Sequence, residues 1–254
     1  VVIDNFENAK ALNDAAKACQ KTLTVLIDID PGIGRTGIPY EQVLNFAKAL
    51  SDLPHLKFSG IQCYAGNLQH IPNYKTREEA SLEAMQKAAA CLRELNQANI
   101  PCDILTGSGT GTYAIDLDVP EITEIQPGSY AVMDTEYYEI GLRFKPAMTL
   151  LTTIISANHK DHVTCDAGWK ALYQVPTKPT VLDPQNLEYD WGGFGDEHGK
   201  IRTKQGGQLP KLGSLLTLMV AHCDPTINLF DQFYIMRNNE VIDIWPIDLR
   251  GKSQ

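Results

Sequence analysis

Short β-branched segments alternate with amphipathic segments five times along the first half of the chain. The pattern predicts strands over residues 1–4, 22–30, 58–64, 102–105 and 121–130, and helices over 6–21, 40–50 and 76–97. Continuous apolar strands separated by helices are typical of a mostly parallel sheet, either open and doubly wound or closed as a barrel. A closed (β/α)₈ barrel needs about 250 residues. The five repeats before residue 140 therefore predict an open sheet or part of a barrel.

The second half of the chain has a different residue pattern. From about residue 144, β-rich segments alternate with Pro, Gly and Asn turns, and Asn238 and Asn239 separate two alternating segments as in a hairpin. We therefore predict an α/β domain over residues 1–142, followed by an all-β domain over 143–254.

Composition and charge exclude several classes of partner. The 22 Lys and Arg residues against 31 Asp and Glu residues give a net charge of −9, without a basic patch that would attract nucleic acid or anionic lipid. No apolar segment approaches the ~20 residues that span a bilayer. We expect a soluble, cytoplasmic protein that binds neither nucleic acid nor membrane, with its 6 cysteines reduced.

Polar, glycine-rich segments follow the predicted strands, at the edge where parallel sheets bind ligands. Residues 32–37 match G-x-G-x-x-G, but Pro31 and Pro39 favour a turn over a dinucleotide site, and Arg35 there suits a phenolate or carboxylate. Two further segments offer hydroxyl and N–H groups for a phosphate, although flexible loops would look the same. Their candidate residues are Ser108, Gly109 and Thr110 in the first, and Gln126, Gly128, Ser129 and Tyr130 in the second.

Two other groups suit proton transfer and metal binding. Tyr64 and His70 flank a polar segment after the third predicted strand, where a phenol and an imidazole could exchange protons. If residues 222–224 are extended, His222 and Asp224 face the same side and could bind one divalent ion, whereas Cys223 points away. An Asp-Pro turn beside a buried histidine is the alternative. Residues 196–199 (DEHG) are typical of an exposed turn rather than a metal site.

Eight segments, spread in order along nearly the whole chain, resemble the D-threonine aldolases, within the wider group that includes D-serine dehydratases and alanine racemases. The resemblance rests on DIDPGIGRTGI (28–38), FSGIQCYAGNLQH (58–70), TGSGTGTY (106–113), EIQPGSY (124–130), DAGWKAL (166–172), DEHG (196–199), HCDPTINLFD (222–231) and RGKS (250–253). It implies a pyridoxal 5'-phosphate (PLP) enzyme and a homodimer. Its fold would be a partial PLP-binding (β/α)₈ barrel followed by a C-terminal all-β domain.

The resemblance also implies a role for each candidate residue. Thr110, Gly128, Ser129 and Tyr130 would hold the cofactor phosphate, with Ser108 and Gly109 shaping the loop. Gln126 takes the position where racemases place an arginine against the pyridine nitrogen. Arg35 would approach the phenolic oxygen of the cofactor, and Tyr64 would line the substrate side. His222 and Asp224 would bind the metal, with Mn²⁺ preferred and Mg²⁺, Co²⁺ or Zn²⁺ as alternatives.

The implied reaction cleaves D-threonine and related D-3-hydroxy amino acids to glycine and an aldehyde. His70, directly or through a water, would remove the proton of the metal-bound β-hydroxyl. A D-serine or D-3-hydroxyaspartate dehydratase is an alternative within the same group. A non-catalytic PLP-binding protein is the alternative from another class.

One residue of the resembled family has no counterpart here. Its lysine that attaches the cofactor lies on the first barrel strand, whereas Lys10, Lys17 and Lys21 fall on or at the end of the first predicted helix. We therefore expect these 254 residues to be the C-terminal part of a longer chain.

Overall fold

A computed structural model describes residues 1–252 and divides the chain into two compact units. Unit 1 is Val1–Gly128, and unit 2 begins at Ser129. The domain boundary predicted after residue 142 falls inside unit 2 and stays a prediction. Ser253, the last residue of the RGKS motif, lies outside the described residues.

Unit 1 contains a five-stranded sheet in the order β1-β2-β3-β4-β5, with every neighbouring pair parallel. Its strands are β1 (Val2–Ile3), β2 (Leu23–Asp28), β3 (Leu56–Cys63), β4 (Ile104–Gly107) and β5 (Glu124–Ile125). All five therefore end at one edge of the sheet, as the alternation predicts.

Helices connect these strands. They are α1 (Phe6–Ala18), α2 (Val43–Leu50), α3 (Tyr74–Gln97) and α4 (Tyr113–Asp116), with 3₁₀ turns at Tyr40–Gln42 and Gly66–Leu68. Side chains of Asn5 and Asn73 accept hydrogen bonds from the first N–H groups of α1 and α3, and these caps explain where the two helices begin. Met85 and Leu95 of α3 join the buried core with the strand residues Ile27 and Leu105. Burying each such side chain contributes about 1.5–3 kcal/mol.

The fifth strand corrects the sequence prediction. A strand was expected over 121–130, but only Glu124 and Ile125 pair, with Thr106 and Gly107 of β4. Pro127 lacks an N–H, so it cannot continue the ladder, and Ser129–Ala131 form a 3₁₀ turn instead. The polar segment after β5 is therefore a loop from Gln126 onwards.

Unit 2 is built mainly on a six-stranded antiparallel sheet in the order β8-β11-β6-β7-β10-β9. Its strands are β6 (Leu150–Ser156), β7 (Val163–Cys165), β8 (Thr180–Asp183), β9 (Leu187–Asp190), β10 (Gly199–Thr203) and β11 (Leu215–Met219). Two short helices flank it, α5 (Thr135–Glu139) before β6 and α6 (Cys223–Ile227) after β11. The sheet confirms the β-rich character predicted for this half.

The predicted Asn-Asn hairpin is also confirmed. Strands β12 (Gln232–Arg237) and β13 (Glu240–Pro246) pair antiparallel, and Asn238 and Asn239 have φ values of 50° and 63°. Two consecutive left-handed residues make the turn whose twist matches that of the strands. Within residues 1–252, no helix is long and apolar enough to cross a bilayer.

Candidate active-site residues

The backbone N–H groups of the glycine-rich turn after β2 donate to an aspartate of the same turn, so they are not free to bind a ligand. Oδ1 of Asp30 accepts hydrogen bonds from the N–H groups of Gly32, Ile33 and Gly34 at 2.9, 2.9 and 3.1 Å. These bonds lower the pKa of Asp30. The donors that a dinucleotide pyrophosphate would need are thus already used, which agrees with the predicted turn.

Arg35 and Tyr64, two of the predicted site residues, lie together in unit 1. The guanidinium carbon of Arg35 is 5.2 Å from the centre of the Tyr64 ring, within the range of a cation–π contact. Arg35 is exposed and Tyr64 is half-buried. The contact holds a permanent positive charge beside a phenol, and the roles assigned to the two residues stay predictions.

His70 ends the polar segment that follows β3 and is half-buried in unit 1. The preceding residue, Gln69, is 1% exposed. Its Nε2 donates to the carbonyl of Ala65 and to Oγ1 of Thr112, while its Oε1 accepts from the N–H of Gly111 at 3.0 Å. Sequence reasoning missed Gln69, because the motif shows a polar loop residue and nothing in it indicates burial.

The loop after β4 is rigid and buried rather than a flexible surface loop. Ser108 and Thr110 are each 2% exposed, and Ser108 has a φ of 67°. The loop is anchored at its far end by Thr112, whose Oγ1 donates to Asp116 at 2.6 Å, and Asp116 also accepts from Ser81 at 2.6 Å. These hydrogen bonds and the burial of Ser108 and Thr110 favour an ordered loop.

A hydrogen-bond chain runs across the carboxyl ends of β2 to β5. Nε2 of Gln62 donates to Oδ1 of Asp28 at 3.0 Å, and Nε2 of Gln126 donates both to Oε1 of Gln62 at 3.1 Å and to Oγ1 of Thr106 at 3.0 Å. Gln126 itself is exposed. The side chain of Gln126, the predicted cofactor residue, is thus held by two partners that the sequence did not indicate, Gln62 and Thr106.

None of the lysines of unit 1 lies at the carboxyl end of a strand. Every one is exposed, on or just after a helix or, for Lys57, near the amino end of β3. They are Lys10, Lys17, Lys21, Lys48, Lys57, Lys75 and Lys87. The absence of a cofactor-attaching lysine from these residues stays a prediction from the sequence.

The predicted phosphate residues of the 126–130 segment have distinct surroundings. Gly128 ends unit 1, and a Cβ there would meet nothing within 4 Å. In unit 2, Ser129 is buried and its Oγ donates to Oδ2 of Asp224 at 3.3 Å. Tyr130 is 44% exposed and its ring lies 5.5 Å from that of Phe144. Of these residues, Ser129 contacts a predicted metal ligand.

His222 and Asp224 come together, but not by the predicted route. His222 is extended and occupies the N-cap of α6, while Asp224 lies in the first turn of that helix, so the condition of an extended 222–224 segment is not met. The helical turn brings Nε2 of His222 to 3.9 Å from Oδ2 of Asp224. Cys223 is fully buried, and this burial raises the pKa of its thiol.

Two carboxylates of unit 2 that the sequence did not indicate surround His222. Nδ1 of His222 lies 2.8 Å from Oε2 of Glu136 and 3.6 Å from Oδ2 of Asp134. The hydrogen bond to Glu136 is the largest cause that raises the pKa of His222. Asp134 is itself fixed, because it accepts from the N–H groups of Tyr137 and Cys223.

Residues 196–198 of the DEHG segment are exposed as predicted, whereas Gly199 is buried and begins β10. The segment joins β9 to β10, and Glu197 forms an ion pair with Lys170 at 2.5 Å, both side chains being more than half exposed. Exposed pairs of this kind contribute little to stability, because solvent screens the charges.

Comparisons with known proteins now place the chain in a family. The model of the alanine racemase N-terminal domain matches residues 1–136, and that of a serine dehydratase domain matches 147–236. The chain is 36% identical to a D-threonine aldolase of Arthrobacter sp, over 100% of this chain and 68% of that protein. It is 32% identical to a 3-hydroxy-D-aspartate aldolase of Paracoccus denitrificans (strain Pd 1222), over 100% of this chain and 67% of that protein.

A comparison with solved structures supports the same family. The crystal structure of the D-threonine aldolase from Filomicrobium marinum matches with a TM-score of 0.93 at 29% identity, over 100% of this chain and 70% of that one. The similarity confirms the predicted fold, which combines a β/α barrel part with a C-terminal β domain. The chain belongs to the D-threonine aldolase family, carbon–carbon lyases of D-hydroxy amino acids with an alanine racemase-like fold.

Proposed function

We propose that this protein is a PLP- and divalent-metal-dependent aldolase that cleaves D-threonine and related D-3-hydroxy amino acids to glycine and an aldehyde. The observation that carries the proposal is the pairing of His222 with Asp224 in a chain related to aldolases of D-hydroxy amino acids. Mn²⁺ is the metal that we propose, with Mg²⁺, Co²⁺ or Zn²⁺ as alternatives. A homodimer and a cytoplasmic location stay predictions from the sequence.

The donor atoms of unit 2 fit a divalent ion. Nitrogen and oxygen ligands bind such ions at about 2.0–2.2 Å, so two donors 3.9 Å apart can share one ion. Glu136 lies 2.8 Å from Nδ1, the other ring nitrogen of His222, so Nε2 is the ring nitrogen that faces Asp224 and would bind the metal. A divalent ion bound there would supply a Lewis acid that lowers the pKa of a hydroxyl coordinated to it.

The residues of unit 1 fit a phosphorylated aromatic cofactor. Gln126 offers an exposed amide at the carboxyl edge of the sheet, and the buried loop of residues 107–112 is already ordered. When bound, PLP supplies an electron sink for the electron pair that remains after the Cα–Cβ bond breaks. The proposed roles of the chain itself are unchanged from the sequence: Arg35 approaches the phenolic oxygen, Tyr64 lines the substrate side, and Ser108 and Gly109 shape the loop.

Two further roles complete the proposal. Thr110, Gly128, Ser129 and Tyr130 would hold the cofactor phosphate. His70 would take the proton of the β-hydroxyl, directly or through a water, because a histidine is the side chain that most often performs general acid–base catalysis. These assignments remain proposals.

A dehydratase acting on D-serine or D-3-hydroxyaspartate is the second candidate. The match of residues 147–236 to a serine dehydratase domain supports it. Such an enzyme would remove the Cα proton and expel the hydroxyl, so the two candidates differ in their products.

Product analysis separates these candidates. With PLP and MnCl₂ added, an aldolase releases glycine and acetaldehyde from D-threonine, whereas a dehydratase releases pyruvate and ammonia from D-serine. His222→Ala and Asp224→Ala should each abolish metal-stimulated turnover and Mn²⁺ binding by calorimetry. Asp248→Ala, an exposed residue of the same unit, is the control and should match the wild type. Full metal-stimulated activity in Asp224→Ala would refute the metal site.

A further inference from the structure

The hydrogen-bond chain at the carboxyl edge of unit 1 begins at a buried carboxylate. Asp28 is 5% exposed at the end of β2, and its two oxygens accept from different side chains. Oδ2 accepts from Oγ1 of Thr36 at 2.7 Å, and Oδ1 accepts from Nε2 of Gln62 at 3.0 Å. A carboxylate has no donor, so every group that bonds to it must point an N–H or O–H towards it.

The same requirement fixes the orientation of the Gln62 and Gln126 side-chain amides. Because Nε2 of Gln62 must face Asp28, its carbonyl oxygen Oε1 faces Gln126. Gln126 must then turn its own Nε2 towards Gln62, at 3.1 Å. An amide can be rotated so that its oxygen and nitrogen exchange places, and here the network decides between the two orientations.

Both N–H groups of Gln126 are consumed within the protein. One goes to Gln62 and the other to Oγ1 of Thr106, which is 3% exposed. The side chain is nevertheless exposed, and within residues 1–252 the structure shows no hydrogen bond at its Oε1. Gln126 therefore offers a ligand a hydrogen-bond acceptor and no donor.

We propose that Asp28, acting through Gln62, fixes the Gln126 amide so that Gln126 selects a protonated heteroaromatic nitrogen. The inference rests on the proposed function, in which that nitrogen belongs to the pyridine ring of PLP. An arginine at this position can only donate and favours the unprotonated ring, whereas the Gln126 carbonyl favours pyridinium N–H. A protonated ring withdraws electrons more strongly. Asp28 and Gln62 are positioning residues, and Gln126 is the residue that contacts the ring.

The amide orientation can be measured without cofactor. Side-chain labelling with ¹⁵N and ¹³C allows NMR to detect scalar coupling across a hydrogen bond. We expect coupling between Nε2 of Gln126 and the side-chain carbonyl carbon of Gln62 in the wild-type protein. A wild-type spectrum with the coupling in the reverse direction, from Nε2 of Gln62 to Gln126, would overturn the inference.

Three variants test what sets that orientation. Gln62→Met preserves the length of the side chain but removes the link, so the coupling should vanish. Asp28→Asn can donate or accept towards Gln62, so a second set of Gln126 amide signals should appear. Thr36→Val is the matched control, because Thr36 bonds only to the other oxygen of Asp28, and it should retain the single orientation. A single, unchanged orientation in Asp28→Asn would show that Asp28 does not control the amide.

The protonation of the ring is read separately, with PLP labelled with ¹⁵N in its ring. We expect the ring nitrogen of bound PLP to bind a proton at least about tenfold more tightly in the wild type than in Gln126→Leu. The change in its ¹⁵N chemical shift should therefore occur at a higher pH in the wild type. Bound PLP with an unprotonated ring across that pH range would overturn the inference. Failure of PLP to bind would instead refute the proposed function and the choice of ligand, while the amide coupling would still decide the orientation.

Discussion

Nδ1 of His222 lies 2.8 Å from Oε2 of Glu136, so the imidazole proposed to bind metal is oriented by a carboxylate on a different helix. The helix α5 that carries Glu136 is tied to the segment before His222 by backbone bonds, from Thr135 N–H to the Val220 carbonyl and from Glu136 N–H to the Ala221 carbonyl. A carboxylate at the second ring nitrogen fixes the histidine tautomer and raises its basicity as a ligand.

Replacing Glu136 should therefore weaken metal binding. We expect Glu136→Ala to raise the dissociation constant for Mn²⁺ by about 10- to 100-fold, measured by calorimetry or by the EPR signal of free Mn²⁺. Glu139→Ala is the matched control, because Glu139 is an exposed residue of the same helix. Equal Mn²⁺ affinity in Glu136→Ala and the control would contradict the orienting role.

The glycine loop after β4 should tolerate substitution unequally at its two central glycines. A Cβ on Gly111 would lie 1.9 Å from the backbone oxygen of Gln69, whereas a Cβ on Gly109 would lie 2.6 Å from Oε1 at the end of the Gln69 side chain. A side chain can move aside more easily than a backbone. We expect Gly111→Ala to lower the free energy of unfolding by about 3 kcal/mol or more, and Gly109→Ala by less, in urea denaturation. The reverse order would contradict the packing described here.

The turn after β2 should lose stability in acid. Because the folded protein holds the pKa of Asp30 below its ordinary value of 3.8, the unfolded state binds the proton more readily. The contribution of Asp30 is then fully present above that value and is lost as the pH falls through the lower, folded pKa. At pH 7 we expect Asp30→Ala to cost about 1 kcal/mol, a loss similar to that of a helix cap.

Urea denaturation at pH 7 and at a series of pH values below 4 measures this effect. The difference between wild type and Asp30→Ala should shrink as the pH falls. Asp30→Asn keeps an acceptor oxygen but does not titrate, so it should remain close to the wild type at neutral pH. A difference that grows in acid would contradict the assigned sign.

Thiol labelling should distinguish one cysteine from the other five. Cys19 is exposed, whereas Cys63, Cys91, Cys102, Cys165 and Cys223 are buried. Burial raises the pKa of Cys63 to about 12 and that of Cys102 to about 12, so little thiolate is present at neutral pH. We expect iodoacetamide to label Cys19 alone in the native protein, read by peptide mass spectrometry, and Cys19→Ser to abolish native labelling. Rapid native labelling of Cys63 would contradict its burial.

Local sequence patterns determined much of the architecture. The β/α alternation predicted the parallel sheet of unit 1, because apolar strands with helical connections have few other ways to bury their faces. The Asn238-Asn239 pair predicted its hairpin, since two left-handed residues are required there. Short strands such as β8 and β9 escaped prediction, because four residues carry too little periodicity to be recognised.

The candidate site could be described only from the sequence and the tertiary structure together. The sequence indicated His222, Asp224, Arg35, Tyr64 and Gln126, because their residue types and motif positions carry chemical meaning. Only the tertiary structure revealed Glu136, Gln69 and the link from Asp28 to Gln126. Their partners are distant in sequence, 86 positions apart in the case of Glu136 and His222 (222 − 136), and burial and orientation are decided by packing between such elements. The sequence thus determined which groups are present, and the packing of helices, strands and loops decided which atoms they present to a ligand.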